Sequence, residues 1–418
     1  MSSPMTQEQR YIKMTETPIS RLIPSLAVPT IISMLVTSIY NMADTFFVSQ
    51  ISTSASAAVG VSYSLMSMIQ ALGFTLGMGS GNYLSRVLGS RDTEKAERIA
   101  STGFYSAIFV GLLFALICLP NLDRVVRLLG ATDTIAPYAK DYARYILIAA
   151  PVMTGALSMN NLLRFQGLAV YSMIGITTGG ILNMILDPIF IFGLDLGISG
   201  AALATVIAQV LSAAGIVLYF ALRLPALRPS RATFRLDRPL LGRIASVSVL
   251  TSVQQSIMNF GILLVQSLVN SFGIATMAAF AAGVKIDSFA YSPAQDFANG
   301  FATFVAQNTG AGKPDRVKQG IREAALLSLS FCAVVSALIF VFARPLLTLF
   351  IDPGETEILD IGVHYLRVEG VFYVGIGLLF LLYAIYRGLE QAGMSVVLTV
   401  ISLGLRVALA YAFAPHFG

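Results

Sequence analysis

The chain has 418 residues, of which 12% are charged and 56% are apolar, with a mean hydropathy of +0.76 and a net charge of +5. Soluble globular proteins carry about 25% charged residues, so this composition excludes that class. It also excludes a disordered, collagen-like or disulfide-stabilised protein, because the apolar content is high, glycine follows no three-residue period and two cysteines are present. An all-α membrane protein with many spans is predicted.

Eleven segments are apolar and long enough to be membrane-spanning helices, which need about 20 residues. They lie, in chain order, at residues 22–49, 55–85, 99–120, 137–165, 168–193, 198–222, 239–270, 273–309, 319–343, 357–389 and 393–414. The polar residues 1–18 precede them and lack the apolar core of a signal peptide. They are therefore predicted to form a cytoplasmic tail.

Lysine and arginine are concentrated in alternate loops between the predicted spans, and such loops usually lie in the cytoplasm. These basic residues are Arg10, Lys13, Arg21, Arg86, Arg91, Lys95, Arg98, Lys313, Arg316, Lys318 and Arg322. The positive net charge therefore indicates a cytoplasmic N-terminus, and no nucleic-acid partner is expected. Residues 223–238, rich in arginine and proline, are predicted to be a cytoplasmic linker.

The two halves of the sequence share residues at a constant offset of 223 positions. The identities are Gly89 with Gly312, Asp92 with Asp315, Lys95 with Lys318, Tyr142 with Tyr365, Arg144 with Arg367, Arg164 with Arg387 and Ser172 with Ser395. A six-helix lobe at 19–222 is therefore predicted to be duplicated at 239–418. Because six is even, both copies keep one orientation and are related by a pseudo-twofold axis along the membrane normal. The second lobe is expected to lack its twelfth helix, whose position would fall beyond Gly418.

Four polar side chains share one depth in three spans of the first half. Asp44 and Asp187 each lie about six residues, or ~9 Å, from the outer ends of their spans. Asn183 is one turn from Asp187 on the same face, and Thr205 lies at a similar depth. Such oxygens suit a hard cation such as sodium, and paired carboxylates also favour proton uptake. The alternative is a structural hydrogen-bond cluster, and the sequence does not separate sodium from proton binding.

Further residues are assigned to the path between the halves. Pro29 removes a backbone hydrogen bond from the first span and is a candidate hinge, although a purely structural kink has the same signature. Asn160 lies nearer the cytoplasmic side and is a candidate for the wider ion network. Lys285 and Asp287 are expected to join an interhelical ion pair, together with Glu369. The candidates for lining a substrate cavity are Tyr40, Asn41, Gln70, Gln255, Asn259 and Asp287.

The segments Tyr40–Val48 and Asn183–Phe190, together with the arginines at 164 and 387, resemble the multidrug and toxic compound extrusion (MATE) family, and in particular its bacterial multidrug members. The resemblance covers nearly all of residues 15–418. It implies two six-helix lobes around a central cleft and the antiport of drugs against protons or sodium. It also implies that Asp44, Asn183, Asp187 and Thr205 form a cation site with Asn160 in its network, and that the first span bends near Pro29.

The expected function is an inner-membrane multidrug efflux antiporter that exports cationic amphiphilic compounds in exchange for protons or sodium ions. It is expected to be a monomer in the lipid bilayer, with no catalytic residues and no cofactor besides the coupling ion. One alternative is a flippase for lipid-linked precursors, which would require a more strongly basic central cavity. Another is an intramembrane magnesium-dependent transferase, which would require clustered aspartates on cytoplasm-facing loops.

Overall fold

The computed structural model describes residues 6–223 and 238–417, and all regular structure within them is helical. The α-helices are α1 Gln7–Glu16, α2 Ile19–Ser49, α3 Thr53–Gly89, α4 Thr93–Cys118, α5 Leu122–Leu128, α6 Ala136–Phe165, α7 Ala169–Pro188, α8 Gly197–Arg223, α9 Arg238–Asn270, α10 Ile274–Gly310, α11 Pro314–Leu347, α12 Thr356–Val371, α13 Tyr373–Gly388 and α14 Ala392–Phe417. A π-helical turn, Ile189–Gly193, follows α7. The linker predicted at 223–238 lies almost entirely outside the described residues.

Nine helices in the described ranges are long and apolar enough to cross a membrane. They are α2, α3, α4, α6, α7, α8, α9, α11 and α14. α12 and α13 together are apolar enough to cross as well, but they meet at a bend of 49°. The prediction of one continuous helix over 357–389 was therefore wrong in its shape. α10 is 37 residues long and less apolar, because it carries Lys285, Asp287 and Asp296.

The helices form two lobes whose internal packing repeats. In the first lobe α2 packs against α7 and α3 against α6, and in the second α9 packs against α14 and α10 against α13. These are the pairings expected if the second lobe repeats the first. The lobes meet where α10 packs against α2 and α3, and where α9 packs against α3. The chain is thus an all-α polytopic membrane protein with two related lobes.

Residues near the N-terminus form a helix that touches both lobes. Thr6 caps the N-terminus of this helix, α1. The Gln7 side chain of α1 donates a hydrogen bond to Thr93 Oγ1 of the first lobe at 3.0 Å. Asn308 of the second lobe donates to the Met14 carbonyl at 3.1 Å. The predicted tail is therefore ordered over α1. The side of the bundle on which α1 lies is called the α1 end below.

The lobes are packed tightly together at the α1 end. Ser85 of α3 lies fully buried there, with its hydroxyl 2.7 Å from the Phe165 carbonyl of its own lobe and 3.4 Å from the Thr303 carbonyl of the second lobe. Arg86 pairs with Glu390 of the second lobe at 3.4 Å. Away from the α1 end the lobes diverge around an open cavity. The structure is therefore closed at the α1 end and open towards the opposite end.

Candidate functional site

The first lobe brings three of its helices together around a polar group. Asn183 and Asp187 lie one turn apart on α7, where the Asn183 amide donates to Asp187 Oδ1 at 3.2 Å. The same amide nitrogen lies 3.2 Å from Thr205 Oγ1 on α8. Asp44 approaches from α2 and is close enough to Asp187 for their charges to interact. We call Asp44, Asn183, Asp187 and Thr205 the acidic group.

The acidic group is buried and holds oxygen atoms that are free to bind an ion. Asp187 is 0% exposed and Asp44 is 9% exposed. Asp44 Oδ1, Asn183 Oδ1 and Asp187 Oδ2 have no hydrogen-bond partner among the described residues. No lysine or arginine among the described residues is ion-paired with the Asp44 or the Asp187 carboxylate. A buried carboxylate without a cation is costly, so a proton or a metal cation would stabilise this arrangement.

Tyr142 belongs to the same region and was not anticipated as a site residue. It lies on α6, is 2% exposed, and its hydroxyl lies beside that of Thr205. A cavity of about 600 Å³ reaches this point, lined by Tyr142, Asp44 and Thr205 among others. Its repeat partner Tyr365 likewise makes a hydrogen bond to a polar side chain, that of Asp287. The identity of the two tyrosines at the offset of 223 was the sequence signal that could have identified Tyr142.

A larger cavity of about 970 Å³ lies between the lobes. Its lining includes five of the six predicted candidates, namely Tyr40, Asn41, Gln70, Gln255 and Asn259. Tyr40 and Asn41 line the smaller cavity too, so α2 connects the acidic group with the central cavity. The roles of these residues in binding remain predictions.

Asp287, the sixth candidate, lies elsewhere and corrects two expectations. It accepts hydrogen bonds from the hydroxyls of Tyr365, at 2.7 Å, and of Tyr373. Glu369 instead lies 3.5 Å from Arg406, and Lys285 faces the central cavity. The ion pair proposed among Lys285, Asp287 and Glu369 does not form, because Lys285 and Asp287 point in different directions from α10 and Glu369 pairs with Arg406.

Asn160 and Pro29 are also placed apart from the acidic group. Asn160 Nδ2 donates to the Ser172 carbonyl at 3.0 Å. Ser172 precedes Asn183 by eleven residues on α7, or about 16 Å along the helix. Asn160 lines the central cavity instead of joining the acidic group. Pro29 lies inside α2, which runs as one helix through it, so its role as a hinge remains a prediction.

A second buried polar cluster links the lobes beneath the central cavity. Arg387 Nη2 donates to Asn299 Oδ1 at 2.9 Å, and Asp296 lies on the same stretch of α10. Arg164, the repeat partner of Arg387, is 5% exposed and donates to Asn161 Oδ1 at 2.5 Å. Asp296 is close enough to Arg164 for their charges to attract. The cluster thus joins Asp296 to Arg164 through their charges, and to Arg387 through the shared neighbour Asn299.

Comparison with known proteins agrees with the duplicated fold. The MatE family model matches the chain twice, at residues 29–189 and 251–412. The two matches are displaced by 222 residues at their starts and 223 at their ends, which is the offset of the internal identities. Together they cover more than half of the chain.

Two curated relatives are similar along most of their length. An FAD transporter of Shewanella oneidensis is 29% identical over an alignment 416 positions long, which covers 93% of this chain and 86% of the relative. The multidrug export protein MepA of Staphylococcus aureus is 26% identical over 380 residues, or 90% of this chain and 83% of MepA.

Solved structures show the same fold. A multidrug resistance MATE family transporter in an outward-facing conformation is 26% identical, with a TM-score of 0.89 over 99% of this chain and 92% of its own. A MATE protein in a bent conformation is also 26% identical, with a TM-score of 0.91 over 99% of this chain and 91% of its own. The chain therefore belongs to the MATE family of membrane transporters.

Proposed function

We propose that this protein is an efflux antiporter that exports amphiphilic organic molecules in exchange for protons or sodium ions. The observation that carries this proposal is the pair of unpartnered oxygens, Asp44 Oδ1 and Asp187 Oδ2, buried at the smaller cavity, which shares Tyr40 and Asn41 with the central one. The family consists of transporters, so the protein is not an enzyme and the transferase considered from the sequence is excluded. The names of the multidrug exporter and the FAD transporter support small organic molecules as substrates.

The geometry supplies a route for coupling. An ion can drive export only if it binds one conformation more tightly than the other. Asp44 and Asp187 repel each other when both are charged, and a proton or sodium ion between them removes that repulsion. α2 carries Asp44 in the acidic group and Tyr40 on the wall of the central cavity. A shift of α2 on ion binding therefore changes both sites together.

The proposal includes the membrane in which the protein lies and its orientation there. The protein lies in the inner membrane with its N-terminus in the cytoplasm, since the basic loops collect at the α1 end. The present structure then corresponds to an outward-open state. The protein acts as a monomer, because the two lobes of one chain enclose the whole central cavity. It needs no cofactor beyond the coupling ion.

Substrate charge is not part of the proposal. The resemblance led us to expect cationic compounds, but Asp296 is the one carboxylate along the central cavity in the described residues, while Lys285 and Arg387 are cations. This is less basic than a binding site for lipid-linked polyphosphates would need, so the flippase alternative is not favoured. The proposed function therefore specifies an amphiphilic organic substrate.

The test is transport by the purified protein in proteoliposomes, with proton and sodium gradients imposed separately. We expect one of the two gradients to drive uptake of a fluorescent amphiphile, and the other to have little effect. Asp44→Asn should abolish the driven component. Equal rates with and without both gradients in the wild-type protein would contradict antiport.

A further inference from the structure

The charged side chains around the central cavity are unevenly balanced. Among the described residues the lining contains Lys285, Arg387 and Asp296 as its charged members. A cation entering the cavity would meet two positive charges and one negative charge. Charges on the wall of a protein cavity interact more strongly than the same charges do in bulk water, because the effective dielectric constant is lower. The balance therefore favours an anion.

The negative charge of Asp296 is already compensated. Asp296 is 6% exposed and lies beside both Asn299 and Arg164. Asn299 in turn accepts a hydrogen bond from Arg387. One arginine and one amide thus neighbour this carboxylate at the base of the cavity, and Arg387 is bound to the same amide. A cationic ligand would gain less there than it would from an isolated carboxylate.

Lys285, in contrast, has no acidic partner. No carboxylate in the described ranges lies within 4.0 Å of its ammonium group, and the centroid of the Phe350 ring is 5.5 Å from Nζ. Phe350 and Phe289 line the same cavity, so an aromatic surface adjoins the ammonium group. An unpaired lysine beside aromatic rings is suited to bind the anionic group of a flat, apolar molecule.

The position of Lys285 also separates it from the arginine cluster. Asn299 follows Lys285 by fourteen residues on α10, which corresponds to about 21 Å along the helix. Lys285 therefore lies in the open part of the cavity, where a ligand enters first, and the arginines lie at its base. The cavity presents positive charge at both ends.

We propose that the exported molecules are organic anions with an aromatic body, and that Lys285 binds their anionic group. This inference rests on the proposed export function and names its substrate class, in place of the cationic class expected from the sequence. A carboxylate and a phosphate monoester would both satisfy Lys285, since each offers charged oxygens to an ammonium group.

The first experiment compares dyes of opposite charge on the purified, full-length protein. Fluorescein is an anion, and the ethyl ester of rhodamine is a cation with the same ring system. Fluorescence anisotropy measures their equilibrium affinities without any ion gradient. We expect fluorescein to bind at least tenfold more tightly, and equal or tighter binding of the rhodamine ester would overturn the proposal. Riboflavin and its phosphate monoester provide a second pair, in which tighter binding of the phosphate identifies phosphate as an accepted group.

Variants of Lys285 then test the assigned residue. Lys285→Gln should weaken fluorescein binding about tenfold, and Lys285→Glu should reverse the preference towards the rhodamine ester. Lys318→Gln is the matched control, because Lys318 is 79% exposed at the start of α11, outside the cavity. An unchanged fluorescein affinity in Lys285→Gln, with a Tm equal to that of the wild type, would contradict the role of Lys285.

Transport separates this inference from the proposed function. If an ion gradient drives the rhodamine ester and not fluorescein, antiport stands and the anionic substrate class is wrong. If fluorescein binds through Lys285 but no gradient drives its export, the binding site stands and antiport is wrong.

Discussion

Asn183 Nδ2 lies 3.2 Å from Asp187 Oδ1, one helical turn away on α7. This hydrogen bond fixes the orientation of the carboxylate and leaves Asp187 Oδ2 without a partner among the described residues. Because the same nitrogen lies 3.2 Å from Thr205 Oγ1, the Asn183 carbonyl oxygen is turned away from both partners. Three free oxygens, on Asp44, Asn183 and Asp187, are the ones we expect to hold the coupling ion.

The Asn183 amide should therefore control ion affinity. We expect Asn183→Leu to remove most of the rise in Tm that the coupling ion gives the wild-type protein, because a ligand stabilises the folded state by an amount that grows with the logarithm of its affinity. Thr205→Val should have a smaller effect, and the double variant should resemble Asn183→Leu alone. The coupling energy between the two residues is expected to be about 0.6–1.7 kcal/mol, as for other hydrogen bonds in membrane proteins.

A control exists on α9, where Gln266 donates to Asn270 at 3.0 Å in an exposed bond one turn apart. Gln266→Leu should leave the ion-dependent rise in Tm unchanged. Full additivity of the Asn183 and Thr205 variants would contradict a shared hydrogen bond.

Neutralising Asp44 should separate substrate binding from export. Asp44→Asn keeps the size of the side chain but removes the charge that a proton or sodium ion would neutralise. We expect a folded protein that binds fluorescent substrate with near-wild-type affinity and shows at least a tenfold loss of gradient-driven transport. Asp195→Asn, at an exposed position after the π-helical turn, is the control. A wild-type rate of gradient-driven transport in Asp44→Asn would contradict the role of Asp44 in coupling, and Asp287, Asp296 and Glu369 would then be the candidates for that role.

The sequence predicted the acidic group more fully than the second lobe. Depth along a helix follows from counting residues, so the sequence alone is enough to assign Asp44, Asp187 and Thr205 to one level. The direction in which a side chain points from its helix was harder to predict. Asp287 was assigned to the cavity, yet it contacts Tyr365 and Tyr373. Which face of α10 meets the cavity depends on how both lobes pack, and one sequence does not contain that information.

Breaks in helices were also missed, for a different reason. The bend of 49° between α12 and α13 falls at Phe372, in a stretch without proline that reads as one apolar span. It brings Tyr373, the first residue of α13, to Asp287, so the bend is supported by a distant contact. The polar residues before the first span similarly gave no sign that α1 would bind both lobes.

Asp123 provides a prediction about pH outside the spans. Hydrogen bonds from Lys140 and Arg127, each at 3.0 Å, lower the pKa of the Asp123 carboxyl below its usual value. A lowered pKa in the folded state stabilises the protein above the unfolded pKa of about 3.9, and this contribution is lost as pH falls through the folded value.

Asp123→Asn should therefore lower the Tm slightly near neutral pH, since the pair is exposed, and the difference from the wild type should disappear in strong acid. Asp141→Asn, an exposed substitution on α6, is the comparison. A difference in Tm that grows as the pH falls would contradict the assignment.

Close packing at the α1 end should determine which conformation the protein prefers. A Cβ atom added at Gly310 would lie 3.1 Å from Arg86 Cα and closer still to the Arg86 carbonyl oxygen. Backbone atoms cannot move aside as a flexible side chain can, so Gly310→Ala should push α3 and α10 apart. Gly404→Ala is the matched control, because nothing lies within 4 Å of a Cβ atom there.

The readout is the reactivity of a cysteine placed between the lobes. Ser85 is fully buried at the α1 end, so Ser85→Cys should react slowly with a polar maleimide while the two lobes stay in contact. The native Cys118 and Cys332 are replaced by alanine to remove background labelling. We expect Gly310→Ala to increase the labelling rate at least fivefold, because even a shift of about 1 kcal/mol changes the ratio of closed to open states by this factor. Gly404→Ala should leave the rate unchanged, and an equally slow rate in Gly310→Ala would show that this contact does not hold the α1 end closed.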